Sequence, residues 1–204
     1  LATGAIIAGS IMAMAQSELK RILAYSTVTQ VGFIFLGVAL ASQRSVEGAL
    51  LHILNHAVVK ALLFLTVGGI IKQSGATKVA QLRGLGKRMP YSFAVFAVGV
   101  LSMIGLPGTA GFNSKFYISL GALDINAIVF VLIILFSSLL SATYLLPIII
   151  TAFFHDSEEY NHVREVSWPL RAPLIVLAGA CIVLGVIPSV LFPIIRQATQ
   201  LFIR

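Results

Sequence analysis

Long apolar stretches separated by short polar connectors run through the whole sequence, a pattern typical of several membrane-crossing helices. A bilayer core requires about 20 helical residues, and stretches of this order recur along the chain. The first stretch is short, whereas the fourth and fifth are long enough to imply tilt, a kink or a break. The six predicted spans are Leu1–Ala15, Ile22–Ala41, Val46–Ile71, Tyr91–Leu123, Ile125–Phe154 and Ala172–Ile195.

Composition agrees with this pattern and leaves little room for a soluble domain. The chain is 58% hydrophobic and only 10% charged, with a mean hydropathy of +1.00. We therefore predict an all-α integral membrane protein whose 204 residues form a single transmembrane domain. Cys181 is the lone cysteine, which excludes an internal disulfide. Leu1 opens directly in an apolar stretch without signal-peptide features, so we interpret the sequence as a piece of a longer protein.

The net charge of +7 is explained better by membrane topology than by nucleic-acid binding, because most basic residues lie in short connectors. The positive-inside rule places these connectors in the cytoplasm and the C-terminus outside. The mixed-charge connector His155–Ser167 is predicted to be a solvated loop. Nine basic residues fall on the predicted cytoplasmic side, namely Lys20, Arg21, Lys72, Lys78, Arg83, Lys87, Arg88, Arg164 and Arg171, against Arg44, Arg196 and Arg204 on the other.

A row of ionisable side chains lies inside the third predicted span. His52, His56 and Lys60 follow one another at four-residue spacing, which on a helix confines them to a sector of about 80° and about 12 Å of axis. A charged Lys in a bilayer costs roughly 2.5–3.5 kcal/mol, so three such groups on one face indicate an ion path. Waters must bridge a row of this length. Polar side chains expected beside it are Asn55, Ser26, Thr27, Thr29 and Gln30.

The fourth predicted span contains a second unusual feature, a cluster of helix-breaking residues. Pro107 removes a backbone donor, and Gly105, Gly108 and Gly111 weaken the helix on both sides. A break near mid-span is one interpretation, and it is typical of transporters, where unwound backbone lines a cavity. A simple proline kink is the other, and the residues alone leave both open.

Lys115 follows this cluster, and its environment depends on which interpretation holds. A straight helix from Tyr91 would carry it about 36 Å, past the far edge of the bilayer core, where its ammonium would reach the surface. A break that loses rise would instead keep Lys115 buried, in need of water, a counter-charge or loss of its proton. Asp124 is then the candidate end point of a path towards the outer surface.

Other functions can be considered for the same residues, namely metal binding, proteolysis and a purely structural role. His52 and His56 have the spacing of a zinc-binding helix, but Ile53 occupies the place of a metalloprotease glutamate and no third ligand is evident, so we expect no metal. No credible motif supports an intramembrane serine protease. A purely structural role, in which the histidines hydrogen-bond neighbouring helices, stays open.

Three segments in the same order resemble the antiporter-like proton-translocating subunits of respiratory complex I, membrane-bound hydrogenases and Mrp-type cation/proton antiporters. These segments are LKRILAYSTVTQVG (19–32), HILNHAVVKALLF (52–64) and LPGTAGFNSKF (106–116). Together they cover the length of the chain. The segment LRGLGKRMP (82–90), with residues 102–115, most resembles the D subunit of Mrp antiporters.

The resemblance implies a fold and candidate roles for matched positions. Members of the superfamily have about fourteen transmembrane helices in two inverted repeats, and this chain is similar to the second repeat plus the final helix. Lys60 and the two histidines match the family's central hydrophilic axis. Lys115 matches the basic residue at the broken helix, where some members carry Glu.

The resemblance also implies a function, which is translocation of protons, or exchange of Na⁺ for protons, by a subunit of a multisubunit complex. Such a subunit has no cofactor or catalytic centre of its own, although it can belong to an NADH:quinone oxidoreductase-type translocase. Its implied partners are other membrane subunits and lipid, not nucleic acid, in a bacterial or archaeal inner membrane. Since the first repeat is absent from this sequence, a membrane scaffold without its own ion path stays open.

Overall fold

The protein is a bundle of helices around one long central helix. The structure is a computed structural model and describes residues 1–154, 160 and 162–202, including side chains as far as residue 200. Two 3₁₀ turns, Val79–Leu82 and Pro188–Val190, join helices. The α-helices are α1 (Ala2–Met14), α2 (Leu19–Ala39), α3 (Gln43–Ser74), α4 (Leu85–Arg88), α5 (Pro90–Ile104), α6 (Ala110–Asp124), α7 (Ile128–Phe154), α8 (Trp168–Val186) and α9 (Phe192–Phe202).

These helices confirm the predicted all-α membrane architecture. Four of them, α2, α3, α7 and α8, are long and apolar enough to cross a bilayer, and α1 and α5 are shorter apolar helices. The central helix α3 has 32 residues, or about 48 Å, and packs against α2, α5, α6, α8 and α9. Ser42 caps its start by accepting the Ser45 amide, and Gly75 ends it with φ 73°.

The basic connectors lie at one end of the bundle, which we call the basic face. Lys20 and Arg21 were predicted in a connector, but α2 already begins at Leu19, so they occupy its first turn. The Leu19 amide donates to the Thr77 carbonyl oxygen at 2.9 Å, and Glu18 and Lys78 form an isolated β-bridge. The connections before α2 and after α3 therefore meet on the basic face.

The prediction of a solvated loop over His155–Ser167 holds only in part for its described second half. His162, Arg164 and Ser167 are exposed, whereas Val163 and Val166 are buried. The Glu165 carboxylate accepts from the Tyr91 and Ser92 amides and from the Ser92 hydroxyl, and so caps the start of α5. The first part of the loop (155–159 and 161) and the predicted outward position of Arg204 lie outside the described residues.

The sixth predicted span ends earlier than Ile195. Helix α8 stops at Val186, because Pro188 has no amide hydrogen to continue the helix and the residue before a proline disfavours helical backbone. The Asn113 side-chain amide donates to the carbonyl oxygens of Leu184 (3.1 Å) and Gly185 (2.7 Å). The last turn of α8 is thereby tied to α6, and the separate helix α9 packs on α3.

The fourth predicted span is broken, as one interpretation of the sequence required. Helices α5 and α6 are separated by residues 105–109, in which Gly105 (φ 92°) and Gly108 (φ 84°) adopt left-handed backbone that favours glycine. Gly111, which was predicted to belong to the break, instead lies in the first turn of α6. A Cβ there would overlap the Ser102 carbonyl oxygen, so this glycine permits close packing of the two half-helices.

We expect Gly111→Ala to lower the melting temperature of the protein, because its methyl group would push the half-helices apart. Overpacking of this kind costs typically about 1–3 kcal/mol. Gly179→Ala is the matched control, since a Cβ at that helical position meets nothing within 4 Å. Thermal unfolding of the two variants in detergent checks the difference. Equal melting temperatures would contradict the close contact.

Candidate functional site

Lys60 is buried on α3 with its ammonium against α2. Only 7% of the residue is exposed. Its Nζ donates to the Leu23 carbonyl oxygen and to Ser26 Oγ, both at 2.6 Å, and lies 5.7 Å from the centre of the Phe64 ring. The predicted proximity of Ser26 is therefore present, and every partner of this ammonium is neutral.

His52, two turns earlier on α3, connects three helices. Its Nε2 lies 3.0 Å from Gln30 Oε1 on α2, and its Nδ1 lies 2.8 Å from Ser114 Oγ on α6. With this amide orientation Nε2 carries a hydrogen, and a neutral ring accepts the Ser114 hydroxyl at Nδ1. Ser114 Oγ also lies 3.2 Å from the Gly111 carbonyl oxygen. When the Ser114 hydroxyl donates to that carbonyl instead, its oxygen can accept from Nδ1, so the His52 ring can hold a second proton.

A small cavity is lined by residues that include His52 and His56. The two rings stack with centres 6.2 Å apart. Three buried polar atoms have no protein partner, namely Gln30 Nε2, Asn55 Oδ1 and His56 Nδ1, and all three residues line a cavity of about 10 Å³. This volume is about what a single water needs, and three polar partners are the usual number for a buried water. The cavity therefore suits one water that bridges the row.

Lys115 is buried at the break between α5 and α6. Its Nζ donates to the carbonyl oxygens of Met103 (2.9 Å) and Ile104 (3.1 Å) and to Ser138 Oγ (3.2 Å), and lies 4.9 Å from the centre of the Phe33 ring. The two carbonyls belong to the last turn of α5, whose dipole attracts positive charge. The break thus creates the acceptors for this ammonium.

Neither buried lysine has an acidic partner among the residues that the structure describes. Within the described part of the chain, no carboxylate lies within 4.0 Å of Lys60 or Lys115, and the recorded ion pairs join other residues. A permanently charged ammonium without a counter-charge is costly in this environment. The carbonyl oxygens accept from the charged ammonium, and the Ser26 and Ser138 hydroxyls can also donate to a neutral amine. The arrangement therefore accommodates both the charged and the neutral form.

Asp124 lies apart from this group. It pairs with Arg44 at 3.2 Å at the end of the bundle opposite the basic face. Nine residues of α6 separate it from Lys115, which corresponds to about 14 Å of rise and half a turn of rotation. The structure therefore does not bring these two residues together. Asp124 lines a polar cavity of about 640 Å³ that also contains Glu47 and Arg196.

The structure adds partners that sequence reasoning missed and removes two that it proposed. Ser114 and Ser138 bind the row and Lys115, respectively, although neither stood out in the sequence. Thr27 instead donates to a carbonyl oxygen of its own helix, and Thr29 contacts Ser10. For Ser114, the clue available in the sequence was that it directly precedes Lys115.

The arrangement does not favour metal binding by the two histidines. Both nitrogens of His52 already have protein partners. No group of three or more His, Cys, Asp or Glu side chains suitable for a metal occurs among the residues that the structure describes.

Comparisons with known proteins agree with the fold and the motifs. The family described as "NADH:quinone oxidoreductase/Mrp antiporter, TM" matches residues 1–141. NADH-quinone oxidoreductase subunit N of Desulforudis audaxviator is 40% identical over 198 residues, covering 91% of this chain and 40% of the relative. A putative antiporter subunit of Staphylococcus aureus is 28% identical over 197 residues, covering 96% of this chain and 40% of the relative.

Solved structures give the same picture. A chain of Thermus thermophilus respiratory complex I superposes with a TM-score of 0.91 at 25% identity, covering 100% of this chain and 43% of the other. A chain of the Mrp complex from Dietzia sp. superposes with a TM-score of 0.91 at 23% identity, covering 99% and 46%, and supports the fold. The chain thus spans about two fifths of the length of the curated relatives it matches. It belongs to the NADH:quinone oxidoreductase/Mrp antiporter family of integral membrane subunits.

Proposed function

We propose that this chain carries protons through the membrane along a path formed by Lys60, His56, His52 and Lys115. The observation that carries the proposal is the burial of two lysines at the two ends of a histidine row, without an acidic partner in the described parts of the chain. A structural lysine in a bilayer normally gains a counter-charge, whereas a proton carrier must be able to become neutral.

The contacts suggest how a proton moves between the ends. Lys60 gives a proton to bridging water, which passes it to His56, and the water in the 10 Å³ cavity connects His56 with Gln30 and Asn55. His52 then relays it towards Ser114, whose neighbour in the chain is Lys115. The steps need bridging waters, rotation of the Ser114 hydroxyl and, because Nε2 of His52 carries a hydrogen bonded to Gln30, a change of tautomer at His52.

The setting of this path is also a proposal. Relatives and structural neighbours are subunits of complex I, Mrp and other respiratory membrane complexes, so we infer that the chain is one transmembrane domain of a longer subunit that assembles with other membrane subunits. A bacterial or archaeal inner membrane is the inferred location. The site contains nitrogen and hydroxyl groups rather than a carboxylate cage, which favours protons over Na⁺ as the ion moved here.

Proton uptake by liposomes that contain the reconstituted complex tests the proposal through the histidines. We expect His52→Ala to lower the proton flux about two- to fivefold and His56→Ala to lower it less. Water can replace part of the function of either imidazole, so the loss stays smaller than for a proton-transfer group that nothing can replace. Normal flux in a His52→Ala His56→Ala double variant, with normal assembly, would contradict the path and favour a membrane scaffold held together by these hydrogen bonds.

The proposed orientation gives a separate expectation. With the basic face in the cytoplasm, Ser74→Cys resists a membrane-impermeant thiol reagent in intact cells and reacts after the membrane is opened, whereas Gln200→Cys reacts in intact cells. Native Cys181 is fully buried and gives a low background. Labelling of Ser74→Cys from outside would reverse the orientation.

A further inference from the structure

A groove with a volume of about 450 Å³ lies between the C-terminal part of α3 and the start of α8. The apolar side chains of Phe64 and Leu65 line the part of the groove that lies farther into the bundle. Its polar residues, Lys72, Gln73 and Ser167, lie at the end nearest the basic face. The groove is therefore amphipathic along its length, with a polar end and an apolar end.

Two consecutive glycines of α3 shape this groove. A Cβ on Gly69 would lie 2.8 Å from both Leu170 Cδ2 and Val166 Cγ1, so this glycine lets the start of α8 pack closely on α3. A Cβ on Gly68 would meet no atom within 4 Å, so the surface is open at that position. The groove is thus an open recess beside a tight helix contact.

The groove opens at the depth where the membrane meets water. Phe64 and Leu65 are 39% and 41% exposed, although both are apolar. Trp168, next to the groove at the start of α8, is 67% exposed. Tryptophan is enriched at membrane–water interfaces, where its ring lies at the level of the lipid head groups. Lipid acyl chains therefore have access to the apolar end of the groove.

Lys72 determines the charge of the groove. It is exposed, and none of the ion pairs among the described residues involves it. The negative end of the α3 dipole and the positive end of the α8 dipole meet at the groove, so the two helix dipoles largely cancel there. Glu165 lies close to the groove in sequence, but its carboxylate accepts from the amides of Tyr91 and Ser92. The polar end of the groove therefore attracts anions.

We propose that this groove binds an anionic phospholipid, with the phosphate at Lys72 and one acyl chain along Phe64 and Leu65. Gln73 and Ser167 can donate hydrogen bonds to head-group oxygens at the same end. Helix α3 rises about 12 Å between Phe64 and Lys72, so one lipid molecule reaches both ends of the groove. Basic recesses between transmembrane helices on the cytoplasmic side suit such head groups. Lipid binding here is independent of the proton path.

Photo-crosslinking in vesicles that contain the reconstituted complex tests the site. The vesicles consist of phosphatidylcholine with a trace of phosphatidylglycerol that carries a photoactivatable group on one acyl chain, and mass spectrometry identifies the labelled peptides. We expect labelling within residues 64–73 and 166–170. Addition of unlabelled phosphatidylglycerol should lower this labelling about fivefold or more, whereas more phosphatidylcholine should leave it nearly unchanged, because only the anionic head group is attracted by Lys72.

Two pairs of variants separate the groove from the surrounding surface. Gly68→Leu fills the recess and should lower labelling about fivefold or more, whereas Gly179→Leu adds the same side chain at an open position of α8, about 14 Å beyond Leu170, and should not. Lys72→Gln should lower labelling about fivefold, the effect expected of one basic residue next to an anionic lipid. Lys20→Gln removes an exposed charge of the basic face outside the groove and should have little effect.

Three results would overturn the proposal. Equal labelling by a phosphatidylcholine probe would mean that only bulk lipid contacts the groove. No labelling of the groove in the wild-type complex would mean that another subunit covers it. An equal loss in Lys72→Gln and Lys20→Gln would assign the attraction to the basic face as a whole. Competition between the two lipids in the wild type decides the outcome even if Gly68→Leu fails to assemble.

Discussion

Lys115→Arg is expected to lower proton transport about tenfold or more, which corresponds to about 1.4 kcal/mol or more of added barrier. Arginine stays charged at any accessible pH, whereas a lysine amine can release its proton and accept another. The pocket at the break contains two carbonyl oxygens and one hydroxyl, which suit a compact ammonium. They do not suit the planar guanidinium of arginine with its five donors. The measurement is proton flux in liposomes that contain the reconstituted complex, normalised to the amount of assembled subunit.

The companion variant Lys115→Glu should retain part of the activity. A carboxyl group in the same pocket also exchanges protons. Full activity in Lys115→Arg would remove Lys115 from the path. Equal loss in Arg and Glu variants, with reduced assembly in both, would show instead that the ammonium only fastens α6 to the end of α5.

Lys60→Ala is expected to lower transport by a similar factor of about ten while leaving protein abundance nearly unchanged. The substitution removes the exchangeable charge, but alanine is a good helix former and α3 is long and capped at both ends. The two acceptors of the ammonium, the Leu23 carbonyl and the Ser26 hydroxyl, can turn to water in the space that the side chain leaves.

Lys20→Ala is the matched control for this experiment, because Lys20 lies exposed in the first turn of α2 on the basic face. Its loss should leave transport within about twofold of the wild type, as expected for a surface substitution. Normal transport in Lys60→Ala would leave only the structural interpretation of this lysine. A comparable loss in both variants would indicate an effect of basic residues on insertion rather than on the path.

Sequence reasoning predicted the features that depend on local physics. Span length follows from bilayer thickness. At Pro107 the residues left a break and a simple kink both open, and the left-handed backbone of Gly105 and Gly108 makes it a break. The row on α3 follows from helical periodicity alone. Once the break was assumed, the burial of Lys115 followed from the lost rise along the chain.

The remaining site depends on how helices turn towards each other, which a single sequence specifies poorly. Ser114 and Ser138 are two of many small hydroxyl residues in apolar helices, and nothing in their spacing identifies them as partners. Asp124 could have been placed more accurately, since nine helical residues after Lys115 give half a turn of rotation. The apolar residues around Pro188 led to the prediction of a span that continues to Ile195. Helix α8 ends before this proline, a residue that commonly marks the end of a helix.

The central claim is that Lys60 and Lys115 lie on one proton path, and the double variant Lys60→Ala Lys115→Arg tests it most directly. Proton flux is measured in liposomes for the wild type, both single variants and the double variant, at equal amounts of assembled complex. Groups in series are not additive, so the double variant should transport about as slowly as the worse single variant, near one tenth of the wild-type rate. Losses that multiply to about one hundredth would place the two lysines on independent paths, and a normal rate in the double variant would remove both from proton transport.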